Sequence, residues 1–320
     1  MKHISEIYLD PHPGVSLLAY PRLRKAAQKF LRLPILHRLL PIARKVRDVA
    51  EPSGRLHLHA RPISTDSPQS KVLTVLSANL WHDFPRYRRF MDRLEAFAHL
   101  AEAQAADVLL LQEVSRTSGF QVDAWLVDRL GMTAIYSRAN GHSSAIGFEE
   151  GLAVLSRFPL HSPRLRQLSL SRNPFVRRLA LGAEVQSPWG SLLAFSVHLG
   201  LIPRQNNAQI CQLQRWVAQV SGGKTALVGG DFNAHETSRR IQQTRSGWLD
   251  TFRQLYPYAD GTTHELRWPW GALLHKYRLD YIFLQPGNTR WQVLETQHLQ
   301  VPDFPHSDHR AVLTRLASTP

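Results

Sequence analysis

The sequence has a single cysteine, Cys211, among its 320 residues. One cysteine cannot form an intramolecular disulfide, and it cannot supply the several thiolates of a cysteine-based zinc site. Long hydrophobic runs are also scarce, because prolines, arginines and a histidine interrupt the most apolar early stretch, residues 30–43. That stretch is too short and too polar to span a bilayer, and the first residues lack the apolar run of a signal peptide. The sequence therefore predicts a cytoplasmic protein.

Acidic residues are few, and the formal net charge is +14. Residues 1–71 carry 13 Lys and Arg against 5 Asp and Glu, whereas residues 72–320 carry 26 against 20. More than half of the positive excess thus lies in less than a quarter of the chain. A basic protein can attract nucleic acid or anionic lipid, but the charge of the larger part is only weak support for either partner.

Residues 1–71 differ from the rest in pattern as well as in charge. Prolines interrupt short basic and apolar segments, and the spacing predicts helices at Arg22–Leu33 and Ile42–Ala50, followed by a linker at Glu51–Ser70. We expect this extension to pack on the main domain or to stay mobile. The alternative is peripheral contact with an anionic membrane or a nucleic acid through residues 20–50. The catalytic domain is predicted to be residues 72–318.

From residue 72 onward, apolar strand-like runs alternate with amphipathic helices and later follow one another directly. The segment around residues 90–101 has apolar residues at helical spacing, and so does the segment around residues 210–220. This order predicts an α/β (α+β) fold, with either one mixed sheet or two sheets packed face to face and helices outside.

Six of the predicted strands have a strong polar side chain at or beside one end. These residues are Asn79, Glu113, His198, Asp231 with Asn233, Asp280, and Asp308 with His309. A carboxylate next to a buried run needs a partner, because desolvating an isolated charge is costly. Several such residues that converge at one edge of a sheet indicate a functional site.

These residue types suit hydrolysis of a phosphoester. Carboxylate and amide oxygens, here Asn79, Glu113 and Asp308, are hard ligands for Mg²⁺, with Mn²⁺ or Ca²⁺ as substitutes. Asp231 is suited to orient or deprotonate water, and Asn233 to donate a hydrogen bond to that water or to the phosphate. Histidines beside carboxylates can stabilise the developing negative charge. Taken alone, a residue of this set would more often belong to a salt bridge, a turn or the core, and it is their joint occurrence at strand ends that favours a site.

The ordered segments resemble the endonuclease/exonuclease/phosphatase superfamily, to which DNase I-like enzymes belong; they are SANLW, LLLQEV, EGLAVLSRFP, FSVHLG, GGDFNA, LDYIF and SDHRAV. The resemblance covers residues 72–316. It implies a four-layer α/β sandwich of two mixed sheets with helices outside.

The resemblance also implies roles for individual residues. Asn79 and Glu113 would hold the catalytic metal, with Asp308 as a further ligand. Asp231 and Asn233 would handle the attacking water and the phosphate. Two histidine–carboxylate pairs, His198 with Glu150 and His309 with Asp280, would flank the phosphate. Independently of the resemblance, Arg177 and Arg178 could extend a phosphate site or could equally be solvated arginines at the start of a strand.

The sequence therefore predicts a divalent-metal-dependent phosphodiesterase, with nucleic acid as the first candidate substrate. A phospholipase C-like, sphingomyelinase-like or phosphatase activity on a lipid or small phosphoester is the second. The third interpretation is a non-catalytic binding module on the same fold. No obligate protein partner is evident, and the aromatic segment Thr262–Lys276 fits stacking on bases, insertion into lipid, or simple packing equally well.

Overall fold

The computed structural model describes residues 5–8, 34–51, 54–61, 71–168, 175–301 and 304–319. Its strands form two large sheets and one small hairpin. The first sheet contains β1 (Ser5–Tyr8), β2 (Arg55–His59), β3 (Val72–Asn79), β4 (Val108–Thr117), β5 (Thr133–His142), β6 (Phe148–Ser156), β15 (Arg290–Leu299) and β16 (Ala311–Thr319), in the order β1-β2-β5-β6-β4-β3-β16-β15.

The second sheet contains β7 (Leu160–Gln167), β8 (Leu179–Ser187), β9 (Gly190–His198), β10 (Ala226–Asp231), β11 (Leu249–Asp250) and β14 (Asp280–Gln285). These six strands lie in the order β11-β14-β10-β9-β8-β7. The hairpin consists of β12 (His264–Arg267) and β13 (Leu273–Tyr277). The helices are α1 (Pro34–Ala50), α2 (Phe90–Ala103), α3 (Val122–Leu130), α4 (Ser143–Ile146), α5 (Pro203–Ser221), α6 (Arg239–Thr244) and α7 (Thr251–Leu255).

The central strands are buried on both faces, which explains their nearly continuous apolar runs. In β3, Leu73 and Val75 point into the core between the two sheets, whereas Leu76 points to the opposite face, where α2 and α3 pack. In β10, Leu227 faces the inter-sheet core and Val228 faces α5. Side chains of a strand alternate between its faces, so these runs build a helix–sheet–sheet–helix sandwich. The predicted four-layer α/β architecture is confirmed.

Parts of the predicted N-terminal extension contact the sandwich directly. The stretch predicted as a linker contains β2, which pairs antiparallel with β5 on one side and with β1 on the other. The linker prediction is therefore wrong for these residues. The sequence signal is the alternation of Leu56 and Leu58 with polar residues; Leu56 is buried and Leu58 packs partly against the same core. The helix predicted at Ile42–Ala50 is present and begins earlier, at Pro34. The helix predicted at Arg22–Leu33 lies outside the described residues, and the division at residue 71 stays a prediction.

Two buried arginines attach the C-terminal end of α1 to the sandwich. Arg177 donates through Nη2 to the carbonyl oxygen of Val49 at 2.7 Å, and Arg138 donates through Nη2 to that of Glu51 at 2.9 Å. The last carbonyls of a helix have no partner within the helix, and cations near them are favourable. Within the described residues, no helix is long and apolar enough to cross a bilayer.

Candidate active site

The topology brings polar strand ends from both sheets to one edge of the sandwich. Strands β3 and β4 run parallel, and Asn79, the last residue of β3, is in register with Gln112, so Glu113 follows in β4 directly after its pairing with β3 ends. Strands β9 and β10 also run parallel, with His198 in register with Asp231. Antiparallel pairing places Asp280, at the start of β14, directly opposite Asp231. The strand ends singled out in the sequence therefore converge.

The glycines before Asp231 allow this strand to lie close to its neighbours. Gly230 has a φ of +153°, and a Cβ on it would lie 1.9 Å from the carbonyl oxygen of Val197. A Cβ on Gly229 would lie 2.6 Å from Leu110 of the facing sheet. A side chain at Gly230 would force the strands apart, because it meets backbone, whereas one at Gly229 would require the Leu110 side chain to move.

Glu113 lies at a bulge in β4, where the pairing register with β6 shifts. Its φ is +53°, a left-handed conformation that costs a residue with a Cβ of the order of 1 kcal/mol and that recurs at functional sites. The bulge turns the carboxylate towards β3, where Asn79 Nδ2 donates to Glu113 Oε1 at 3.1 Å. Burial, followed by the nearby charge of Glu150, raises the pKa of Glu113.

His82 connects Glu113 to Glu150. Its Nδ1 accepts a hydrogen bond from the backbone N–H of Phe84 at 2.9 Å, so the proton of the neutral ring is on Nε2. Nε2 lies 3.3 Å from Glu113 Oε2 and 3.6 Å from Glu150 Oε2. Asn140 Nδ2 donates to the other oxygen of Glu150 at 2.6 Å. His82 is thus a donor placed between two carboxylates.

The expected pairing of His198 with Glu150 is therefore wrong. Glu150 lies beside His82, whereas His198 Nε2 lies 3.6 Å from Asp231 Oδ2. Burial, with a contribution from the charge of Arg178, lowers the pKa of His198 well below its usual value. The ring is consequently neutral near pH 7, and its contact with Asp231 is not an ion pair.

Asp231 is the most perturbed carboxylate of the cluster. Burial, reinforced by the charge of Asp280, raises its pKa to about 7. The backbone N–H of Asn233 donates to Asp231 Oδ1 at 2.8 Å, and the side-chain amide of Asn233 donates to Oδ2 at 3.2 Å and to the carbonyl of Leu199 at 2.9 Å. A pKa near neutrality suits a carboxylate that exchanges protons with water.

His309 and Asp280 form the contact that the family resemblance implies. His309 Nδ1 lies 2.8 Å from Asp280 Oδ2. Burial opposes protonation of the ring, but the charge of Asp280 and the hydrogen bond to it prevail, and the pKa of His309 is raised well above its usual value. The imidazolium can therefore donate from Nε2 to an anion at neutral pH. The buried Oδ1 of Asp280 has no hydrogen-bond partner among the described residues.

Asp308 is exposed and groups with two histidines rather than with Glu113. Its carboxylate lies within 4.8 Å of ligand atoms of His264 and His309. The rings of His264 and His309 are 4.5 Å apart, and the backbones of these residues form an isolated β-bridge. These contacts join residues far apart in the chain, so no local sequence pattern shows that His264 belongs to the site. A role for Asp308 as metal ligand stays a prediction.

The two arginines that were expected to extend the phosphate site differ in their environment. Arg177 is buried and bound to the carbonyls of Ala139 and Val49, so its predicted contact with phosphate is wrong. Arg178 is half-buried, and its charge acts on His198, which places it beside the cluster. A phosphate-binding role for Arg178 remains a prediction.

The donor set fits a hard divalent cation. Glu113 and Glu150 lie with His82 in one group of potential ligand atoms, while Asp231, Asp280 and His309 form a second group; the atoms within each group are at most 4.8 Å apart. Burial and, after it, the charges of neighbouring carboxylates raise the pKa values of Glu113 and Asp231. A bound Mg²⁺ or Mn²⁺ would relieve this repulsion, since these ions prefer carboxylate and amide oxygens.

A model of the Endonuclease/Exonuclease/phosphatase family matches residues 76–309. The chain belongs to this family. Its members are hydrolases that act on phosphoesters and generally use divalent metals. The match includes every candidate site residue, from Asn79 to His309.

Similar proteins extend the comparison. The chain is 28% identical to the uncharacterized protein YbhP of Escherichia coli (strain K12) over 186 residues, which are 52% of this chain and 69% of YbhP. Two solved structures each have a TM-score of 0.61. One is an endonuclease/exonuclease/phosphatase family protein from Leptotrichia buccalis C-1013-b, which is 18% identical over 76% of this chain and 99% of that chain. The other is D. rerio TDP2 complexed with single strand DNA product, which is 14% identical over 77% of this chain and 99% of that chain. At these identities the two structures show a shared fold.

Proposed function

We propose that the protein is a divalent-metal-dependent phosphodiesterase. The observation that carries this proposal is the convergence of Glu113, Asp231 and the His309–Asp280 pair at one edge of two packed sheets. Family membership supports hydrolysis of a phosphoester as the reaction class. Glu113, with Asn79 and Asp308, would hold the metal. When bound, the metal would neutralise charge on the non-bridging phosphate oxygens.

The side chains divide the remaining tasks. Asp231, whose pKa lies near neutrality, would accept a proton from the attacking water, with Asn233 orienting its carboxylate. The protonated His309 would donate a hydrogen bond to the phosphate, and Asp280 would keep that ring charged. The neutral His198 would add a second hydrogen bond to the phosphate.

Nucleic acid is the substrate that the sequence puts first. It is supported by the basic composition and by the similarity in fold to TDP2, whose structure contains a single strand DNA product. The second candidate is a lipid phosphodiester. A specific observation favours it: the loops around the site expose aliphatic side chains, among them Leu201, which is 70% exposed, and Ile202, which is 57% exposed.

A substrate panel tests the proposal. Purified full-length protein with Mg²⁺ or Mn²⁺ would be offered plasmid DNA, RNA, phosphatidylglycerol vesicles and sphingomyelin vesicles, with p-nitrophenyl phosphate as the monoester comparison. We expect hydrolysis of at least one diester, faster than that of the monoester and abolished by EDTA. Folded protein that is inert on every diester with all metals would favour a non-catalytic binding module, and preferential monoester hydrolysis would favour a phosphatase.

A further inference from the structure

Exposed apolar side chains are concentrated around the candidate active site. The described residues expose seventeen large hydrophobic side chains. Thirteen of them lie on six segments that hydrogen bonds, a backbone bridge or the chain itself connect to the site. We call these thirteen the apolar rim: Ile42, Val46, Phe84, Ile146, Phe175, Val176, Leu201, Ile202, Leu266, Trp268, Trp270, Leu273 and Leu274. Scattered exposed hydrophobic residues are normal, but their concentration on segments connected to one site is typical of an interaction surface.

Hydrogen bonds and ring contacts connect one side of the rim to the Glu113–Glu150 group. Phe84 donates its backbone N–H to His82 and stacks on Phe148, with ring centroids 4.3 Å apart. Phe175 and Val176 precede Arg177, whose N–H donates to Asn140, the residue that holds Glu150. In α1, Ile42 and Val46 lie one helical turn apart, and the end of this helix is bound by Arg177.

The other side of the rim adjoins His198 and His309. Leu201 and Ile202 follow Leu199, whose carbonyl accepts from Asn233. The β12–β13 hairpin begins at His264, which bridges to His309. At its tip, Trp268 and Trp270 stack with their rings 4.9 Å apart and are 44% and 72% exposed.

The rim segments are also basic. Residues 41–51, 83–89, 142–147, 175–178, 199–204 and 264–277 together contain eleven Lys and Arg against four Asp and Glu. In α1, Arg44, Lys45 and Arg47 are exposed beside Ile42 and Val46. Basic side chains interleaved with apolar ones complement an anionic membrane, where lysines and arginines meet lipid headgroups while apolar side chains enter the acyl boundary.

We propose that the apolar rim docks on an anionic phospholipid surface and presents a lipid phosphodiester to the active site. The inference rests on the proposed phosphodiesterase function and assigns its substrate class. Nine of the thirteen rim residues are aliphatic. Single-stranded nucleic acid is bound through aromatic stacking and backbone charge. Aliphatic side chains therefore gain little from contact with it, whereas their burial in an apolar phase is favourable. Tryptophan pairs suit the membrane interface, where one part of the ring is wet.

Vesicle binding by the full chain in EDTA tests the docking surface without turnover. The vesicles contain equal parts of phosphatidylglycerol and phosphatidylcholine, with pure phosphatidylcholine for comparison. One variant combines Leu201→Ser with Ile202→Ser, and another combines Trp268→Ala with Trp270→Ala. The matched controls, Tyr258→Ser and Leu294→Ser, change exposed apolar residues outside the rim. Thermal unfolding confirms that each variant is folded.

We expect wild type and controls to cosediment with anionic vesicles, and brominated acyl chains to quench tryptophan fluorescence. Each rim variant should bind at least about tenfold more weakly. Hydrolysis of the soluble diester bis-p-nitrophenyl phosphate should be equal in all of these proteins. The docking surface is refuted if the wild-type protein binds neither kind of vesicle, or if rim and control variants bind vesicles equally well. It is also refuted if the rim variants instead lose affinity for single-stranded DNA. Absence of diester hydrolysis would refute the proposed function separately.

Discussion

The structure gives His82 a place at the site as a hydrogen-bond donor between Glu113 and Glu150. Its position between two carboxylates depends on strands far apart in the chain, so the local sequence does not predict it. The N–H of Phe84 fixes the ring tautomer, so Nε2–H points to Glu113 and Glu150. A donor at this point orients the proposed metal ligand Glu113, as partners of ligands do in metal sites generally.

Two substitutions of His82 separate hydrogen bonding from ring packing. His82→Gln keeps an N–H donor near the position of Nε2, whereas His82→Phe keeps the edge contact with the Phe148 ring, 4.9 Å away, and removes the donor. We expect His82→Phe to raise the Mg²⁺ concentration for half-maximal activity about tenfold, with a smaller change for His82→Gln. The Mg²⁺-dependent increase in melting temperature should shift in parallel. Equal behaviour of both variants would contradict the orienting role.

Asp231 carries the clearest prediction about chemistry. Asp231→Asn preserves the shape of the side chain but cannot accept a proton from water, so kcat should fall by about 10² or more. Its melting temperature should not fall, because a buried carboxylate with a raised pKa is replaced by a neutral group. The matched control is Asp107→Asn, since Asp107 accepts from the N–H of Thr74 at the opposite end of β3 and β4. Near-normal turnover of Asp231→Asn would show that Asp231 does not accept a proton in the reaction.

At the scale of secondary structure, a buried ion pair joins the N-terminal region to the sandwich. Asp123 on α3 accepts from Arg116 at 2.8 Å and lies 2.7 Å from Nε2 of His59 on β2. Burial opposes ionisation of Asp123, but these hydrogen bonds prevail and lower its pKa from 3.8 to about 2. The ionised form therefore stabilises the folded state, fully above pH 3.8 and less as the pH falls towards 2.

Asp123→Asn should lower the free energy of unfolding at pH 7 by about 2–5 kcal/mol, because Arg116 loses its buried partner. The difference from wild type should shrink as the pH falls from about 4 to about 2. Asp128→Asn is the control, because its pair with Arg61 is exposed and should contribute less than about 1 kcal/mol. Urea unfolding across this pH range measures both variants. A pH-independent difference would show that packing, rather than charge, sets the effect of Asp123.

Local pattern predicted the elements better than their partners. The sequence predicts strands β3, β4, β9 and β10 and the polar residues that follow their apolar runs, because burial on both faces of a sheet requires continuous apolar sequence. The sequence does not predict which carboxylate contacts His198. Asp231 and Glu150 lie on different sheets, and the strand register decides which of them is close to His198. The left-handed φ of Glu113 and the bridge from His264 to His309 likewise depend on tertiary pairing.

At the scale of the whole molecule, the N-terminal region supplies part of the first sheet. Leu56 of β2 is buried in the inter-sheet core, and β2 covers the edge of β5. A chain that begins at Gln69 should therefore lose stability and expose an unpaired edge, which promotes aggregation. Size-exclusion chromatography and thermal unfolding would show this. A monomeric truncated chain with the wild-type melting temperature would show that residues 1–68 are peripheral.

The most direct test of the whole account is the metal dependence of diester hydrolysis by wild-type protein. The full chain would be stripped with EDTA, assayed on bis-p-nitrophenyl phosphate, and assayed again after titration with Mg²⁺ and Mn²⁺. The cluster of Asn79, Glu113, Asp231, Asp280 and His309 predicts no turnover in EDTA and saturable recovery with either metal. Turnover that is equally fast in EDTA, or no turnover of folded protein at any metal concentration, would contradict it.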